Sequence, residues 1–256
     1  MMMSVSKNLS IQLFSLQNIT LLLLLSFTVY IEVHASEKHF SSGENKVMLV
    51  ELFTSEGCSS CPPAEKWLNS LKDDPRLWKQ FVPVAFHVDY WDYIGWKDPF
   101  ANKDYSLRQK TYQRQGNIHT VYTPGMILDG KEWRSWHYKR RVPPTGEIAG
   151  NLDVIVNDDK IIASYFPANR QSNEWELNIA VLGFQLRSNV IAGENSGRRL
   201  EQEFVVLAHE KMTSRSGKWQ TTLPNIKKEY ASQIGLAAWV NKKGTQTPVQ
   251  ATGGWL

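Results

Sequence analysis

Val47-Met-Leu-Val-Glu-Leu-Phe-Thr-Ser-Glu-Gly-Cys-Ser-Ser-Cys-Pro-Pro-Ala64 is the stretch whose reading decides the fold. It opens on an apolar run, Val47 to Phe53, interrupted only by Glu51, which predicts a buried strand. It closes on Cys58 and Cys61, the only two cysteines in the chain. A C-x-x-C pair set between a strand and a helical pattern points to dithiol–disulfide chemistry. The helical pattern is carried by Ala64, Trp67, Leu68 and Leu71, which recur at i, i+3, i+4 and i+7. Pro62 and Pro63 suit a first helical turn, where a missing N–H has no helical partner to lose. Two prolines in succession put the start of the regular helix near Cys61 and leave Ser59-Ser60 in a turn.

Outward from this stretch, Phe81 to Val88 reads as a second buried strand. Pro99 to Gln115 reads as a polar helix that stops before Gly116. Met126-Ile127-Leu128, followed by Asp129-Gly130, reads as a third strand entering a tight turn. This alternation predicts an α/β domain over residues 47–140, a central mixed sheet flanked by helices. Residues 141–150, with Pro143-Pro144, make a linker candidate. Beyond it the chain reads as short strands: Leu152–Val156, Lys160–Phe166, Trp175–Leu182, Phe204–Ala208, Lys218–Thr222 and Ile234–Val240. Six strands with polar turns predict a β-rich, sandwich-like C-terminal domain or extension over 151–256.

The amino terminus bears on compartment. Lys7, the apolar stretch Ile19 to Ile31 and the tripeptide Val33-His34-Ala35 read together as a secretory signal peptide, residues 1–35, cut after Ala35. The alternative is an uncleaved anchor from Ile11 to Val33. Residues 36–46 then form the mature amino-terminal segment, and no later run is apolar enough to cross a bilayer. Losing residues 1–35 removes one basic residue, Lys7, and one acidic residue, Glu32, so the net charge of +4 is unchanged. The charges are dispersed apart from the short run at 139–141, which argues against nucleic acid as a partner. Export, to a periplasm or beyond, places the cysteine pair where disulfides persist. A structural zinc site needs about four ligands, and only one cysteine pair is present.

Attack on a disulfide requires a thiolate, which an exposed helix N-terminus favours. Cys58 is the candidate nucleophile and Cys61 the resolving thiol, with no cofactor beyond the redox-active disulfide. The partner would be a protein thiol or disulfide, together with a second redox protein to restore the pair. A nearby Glu56 carboxylate would raise the thiol pKa. Thr123-Pro124, just before the third strand, is a candidate cis bond and substrate edge. His87, Asp89, Tyr90 and Trp91 stand at the end of the second strand, where α/β sheets build sites. A second reading takes the cysteines with His87 or His119 as a Cu(I) set, since thiolates are soft ligands. A third takes the pair as a fixed structural disulfide in a binding protein.

Residues 50–64, Phe86-His-Val-Asp-Tyr-Trp-Asp-Tyr-Ile-Gly-Trp96, Asp98-Pro-Phe100, Arg108-Gln109 and Tyr122-Thr-Pro-Gly-Met-Ile-Leu-Asp-Gly130 resemble the exported bacterial family known as domain of unknown function 1223. Asn195-Ser-Gly-Arg198 and Gly235-Leu-Ala-Ala-Trp239 extend the resemblance into the C-terminal part. That family is similar to the thioredoxin-like superfamily. The resemblance therefore implies a thioredoxin-like domain with Cys58 and Cys61 at its redox position and Pro124 as its cis-proline.

Overall fold

Strand β1 (Lys38–Ser41) leads into β2 (Met48–Thr54), all seven residues of which are buried. Both faces of β2 are covered, which accounts for its unbroken apolar sequence. Thr54 Oγ1 donates to Glu65 of helix α1 (Pro62–Asn69) at 2.6 Å, while Glu51 accepts from Arg108 of helix α2 (Lys103–Arg114) at 2.7 Å. The period-2 alternation of a strand thus sends odd and even residues to different helices. Strand β3 (Phe81–His87) runs parallel to β2, with Thr54 opposite His87. On the other side β4 (Gly125–Leu128) pairs antiparallel with β2, and the short β5 (Lys131–Glu132) pairs with β4.

The computed structural model describes residues 37–138, 141–169, 173–226 and 232–256. The expected signal peptide lies outside them, as do residues 139 and 140 of the basic run. No helix among the described residues is long and apolar enough to cross a membrane.

The second half of the chain contributes β6 (Gly150–Asn157), β7 (Lys160–Pro167), β8 (Trp175–Phe184), β9 (Leu186–Asn189), β10 (Arg199–Gln202), β11 (Val205–Ser214), β12 (Lys218–Thr222), β13 (Gln233–Lys242) and β14 (Pro248–Trp255). An eight-stranded sheet has the order β14-β13-β8-β11-β3-β2-β4-β5, and a four-stranded sheet the order β1-β6-β7-β12. The two halves of the chain meet where β11 runs parallel to β3, with Val205 opposite Ala85 and Ala85 N–H donating to Phe204 O at 2.8 Å.

These sheets overturn the expected fold class. The protein is mostly β, with several sheets and two short α-helices among the described residues, rather than a thioredoxin-like α/β domain followed by a β-rich one. Four of the eight strands in the large sheet come from beyond residue 150, and β1 joins the small sheet formed by β6, β7 and β12. One core contains Phe53, Phe86, Leu182, Phe204 and Trp239 together, so it draws on both halves. A second core, with Leu152, Ile161, Ile179 and Leu236, lies between the two sheets. Ser36–Leu256 accordingly forms one compact unit.

Candidate functional site

Cys58 and Cys61 are joined in a disulfide, their Cα atoms 5.4 Å apart. Cys61 is the N-cap of α1, and Pro62-Pro63 fill the first two helical positions. Cys58 sits one turn earlier, its N–H on Ser55 O at 3.1 Å and its carbonyl accepting from Cys61 N–H at 3.2 Å. Ser60 Oγ lies 3.3 Å from the Cys58 sulfur. The cysteines are sealed from solvent, 1% and 0% exposed.

Beneath this turn four ionisable side chains are buried together: Glu56, Glu65, His87 and Asp98. His87 Nδ1 lies 2.7 Å from Asp98 Oδ2, which also accepts Glu56 N–H at 2.8 Å, while Asp98 Oδ1 accepts Phe100 N–H at 2.9 Å. Glu56 accepts from Trp96 Nε1 at 2.8 Å and from Gln202 Nε2 at 3.4 Å. His87 Nε2 and Gln202 Oε1 are buried with no hydrogen-bond partner among the described residues.

Burial alone would disfavour the His87 imidazolium, but Asp98, helped by Glu65 and Glu56, outweighs it and lifts the pKa to about 9. Asp98, which burial would push up, is held below its ordinary value by His87. Burial pushes Glu65 up to about 7 despite His87 and the Thr54 hydroxyl. Glu56 is raised by burial and by the Asp98 charge. Three carboxyls share one imidazolium, so their protonation states are coupled.

A second layer flanks the turn. Gly57 lies against Trp91 and Ile94: a Cβ there would stand 3.1 Å from Trp91 Cβ and 3.3 Å from Ile94 Cδ1. Trp91 Nε1 donates to Thr123 Oγ1 at 2.7 Å, and the Thr123–Pro124 peptide is cis. Tyr90 OH donates to Gln109, whose amide in turn holds Tyr122 O at 2.7 Å. Trp91 thereby connects the cysteine turn to the proline segment.

The third layer is the connection between β9 and β10. Asn195 is buried and its Nδ2 donates to the carbonyls of Glu56 at 2.8 Å and Cys58 at 3.0 Å. Glu194 Oε2 accepts from Ser59 N–H at 3.0 Å and Ser59 Oγ at 2.7 Å.

The structure therefore gathers Glu56, Cys58, Cys61, His87, Trp91 and Thr123 around one turn. Asp89 is directed elsewhere, onto the Ser106 hydroxyl of α2. His119 is exposed after α2, and His87 bonds Asp98 through Nδ1 while its Nε2 has no partner. Among the described residues no group of three or more His, Cys, Asp or Glu side chains could hold a metal ion. Sequence reasoning missed Glu65, Asp98, Glu194, Asn195 and Gln202. Asp98 and Asn195 stand in motifs already noted, so a signal for those two existed. Glu194 and Gln202 reach the site only through long-range pairing, which no local pattern announces.

Fold and site together define a β-rich protein with a capped C-x-x-C disulfide over a buried carboxyl–histidine cluster. The chain belongs to the family described as "Protein of unknown function (DUF1223)", whose pattern matches residues 49–241. Among solved structures it is similar to protein AGR_C_4864 from Agrobacterium tumefaciens, at 22% identity and a TM-score of 0.57 over 82% of this chain and 95% of that one. It is also similar to HBP35 of Porphyromonas gingivalis, at 12% identity and a TM-score of 0.57 over 84% of this chain and 76% of that one. At these identities the likeness concerns the fold alone. No curated protein matches the chain.

Proposed function

We propose that the chain is an exported thiol–disulfide oxidoreductase acting on protein thiols or disulfides through Cys58 and Cys61. The observation that carries this reading is the disulfide at the start of α1 directly above a buried carboxyl–histidine cluster. A substrate thiolate attacks the Cys58 sulfur, the S–S bond breaks and Cys61 leaves as a thiolate. A second substrate thiolate then attacks the substrate sulfur of the mixed disulfide and releases Cys58. Two electrons pass from substrate to enzyme, and the two protons lost by the substrate thiols are balanced by two gained on the cysteines. In the opposite direction Cys58 attacks a substrate disulfide and Cys61 resolves the intermediate.

Sulfurs this buried need an internal proton path. Glu65 is the group we assign to it: it lies in the first turn of α1 after Cys61, and burial pushes its carboxyl up to about 7. Changing Cys61 to Ala is expected to trap covalent complexes through Cys58 with protein disulfides, because the Cys58 thiolate breaks the substrate S–S bond and no resolving thiol remains. Absence of such complexes, together with no thiol exchange by the unaltered protein, overturns the proposal.

The burial of both sulfurs favours a second reading, a fixed structural disulfide. Resistance of the pair to millimolar glutathione in the folded protein would decide for it.

A further inference from the structure

We infer that Glu194 sets the redox poise of the cysteine pair from outside the C-x-x-C turn. This rests on the thiol–disulfide exchange proposed above. A thiolate formed at Cys58 is stabilised by nearby N–H and O–H donors and destabilised by nearby negative charge. Ser59 follows Cys58 directly and carries two such donors. Both are taken by one carboxylate oxygen, Glu194 Oε2, at 3.0 Å from Ser59 N and 2.7 Å from Ser59 Oγ. Only the Ser60 hydroxyl is left within hydrogen-bond reach of the Cys58 sulfur, at 3.3 Å.

The carboxylate is held there by a built structure. Asn195, next in sequence and 0% exposed, is bonded to the carbonyls on either side of Gly57, and Arg198 donates to its Oδ1 at 3.1 Å. Gly193, at φ +73°, lies so close to Ile94 that a Cβ would come within 3.0 Å of its Cδ1. The loop is thus fixed on the cysteine turn from two sides, and Glu194 is exposed at its tip. The charged groups around the turn are Glu56, Glu65, His87 and Asp98 below it and Glu194 above it, with Arg198 directed onto Asn195. Glu194 is the one carboxylate that hydrogen-bonds the C-x-x-C residues from the solvent side among the described residues.

Each reduction breaks the S–S bond and takes two electrons and two protons from a thiol couple. With Glu194 ionised, the thiolate of the reduced pair is disfavoured and the disulfide is the preferred state. Glu194→Gln keeps the acceptor and removes the charge, and Glu194→Ala removes both.

The test equilibrates each protein with reduced and oxidised glutathione at pH 7 and 9 and quantifies the dithiol by alkylation. The pH dependence of Cys58 alkylation is followed in parallel in a Cys61→Ala background. Glu194→Gln should shift the equilibrium towards the dithiol by about three- to tenfold, tenfold being about 30 mV for this two-electron couple. The shift should be larger at pH 9, and the alkylation midpoint should move to lower pH. Glu194→Ala should do at least as much. Exchange with an unchanged equilibrium and midpoint in both variants overturns the role of Glu194 alone. No exchange with glutathione in any of the proteins overturns the proposed activity, and this inference with it.

Discussion

Asp98→Asn removes the charge from a carboxylate shared by three donors, at 2.7 Å from His87 Nδ1, 2.8 Å from Glu56 N and 2.9 Å from Phe100 N. The main consequence falls on His87, whose pKa of about 9 rests on this partner. An unfolded chain would hold the same imidazole near about 6.5. A pKa raised by folding stabilises the protein fully below the unfolded value, and that contribution is lost as pH climbs through the folded one. For these two values it amounts to about 3 kcal/mol at pH 6 and under about 0.5 kcal/mol at pH 9. Without the Asp98 charge, burial leaves His87 neutral and the contribution disappears. Urea unfolding of the oxidised protein should therefore show Asp98→Asn losing about 3 kcal/mol at pH 6, with the gap to wild type narrowing to under about 0.5 kcal/mol at pH 9. A deficit of equal size at both pH values would refute the charged His87–Asp98 pair and reduce it to a neutral hydrogen bond. A variant as stable as wild type at pH 6 would refute the pair altogether.

Two further outcomes follow from the same structure. The Cys58–Cys61 bond closes only a short loop, so reducing it should cost about 2 kcal/mol in unfolding experiments run with and without reductant; a loss above about 4 kcal/mol would contradict the chain-entropy account. Arg108→Ala strands the buried Glu51 carboxylate, which accepts from Arg108 at 2.7 Å and from the Tyr112 hydroxyl, and should cost about 3–5 kcal/mol. Arg108→Lys should recover only part of this, because the guanidinium also lies over Phe86, Tyr112 and Trp239. Stability within about 1 kcal/mol of wild type for the alanine variant would sink that reasoning.

Local pattern carried the elements well. The apolar run at 47–53 is a strand from Met48 to Thr54, and the helix expected to start near Cys61 runs from Pro62 to Asn69 with Cys61 as its N-cap. What local pattern could not supply was the partner of each strand. Val205 pairs with Ala85 across 120 residues, and nothing in either segment names the other. The α/β expectation failed at that contact, because strands assigned to a separate domain complete the sheet begun by β2 and β3. Strand β14 was missed as well: its Gly253-Gly254 pair looks like a turn, yet Gly254 is where the chain admits the Phe40 ring, 2.4 Å from where a Cβ would stand. For the site, the cysteines, His87 and Trp91 were legible because chemistry confines their residue types. Glu65 was not, because a glutamate inside an amphipathic helix usually faces water.

Asn195 and Glu194 fasten the cysteine turn from a hairpin more than 130 residues downstream. A chain emerging amino-terminus first therefore presents both cysteines before the segment that seals them has been made. In that interval the pair lacks the hydrogen bonds from Ser59 to Glu194 and from Asn195 that hold its turn in the finished protein. The covering loop thus acts in time as well as in space: it separates a period of open chemistry during assembly from the guarded state of the finished protein.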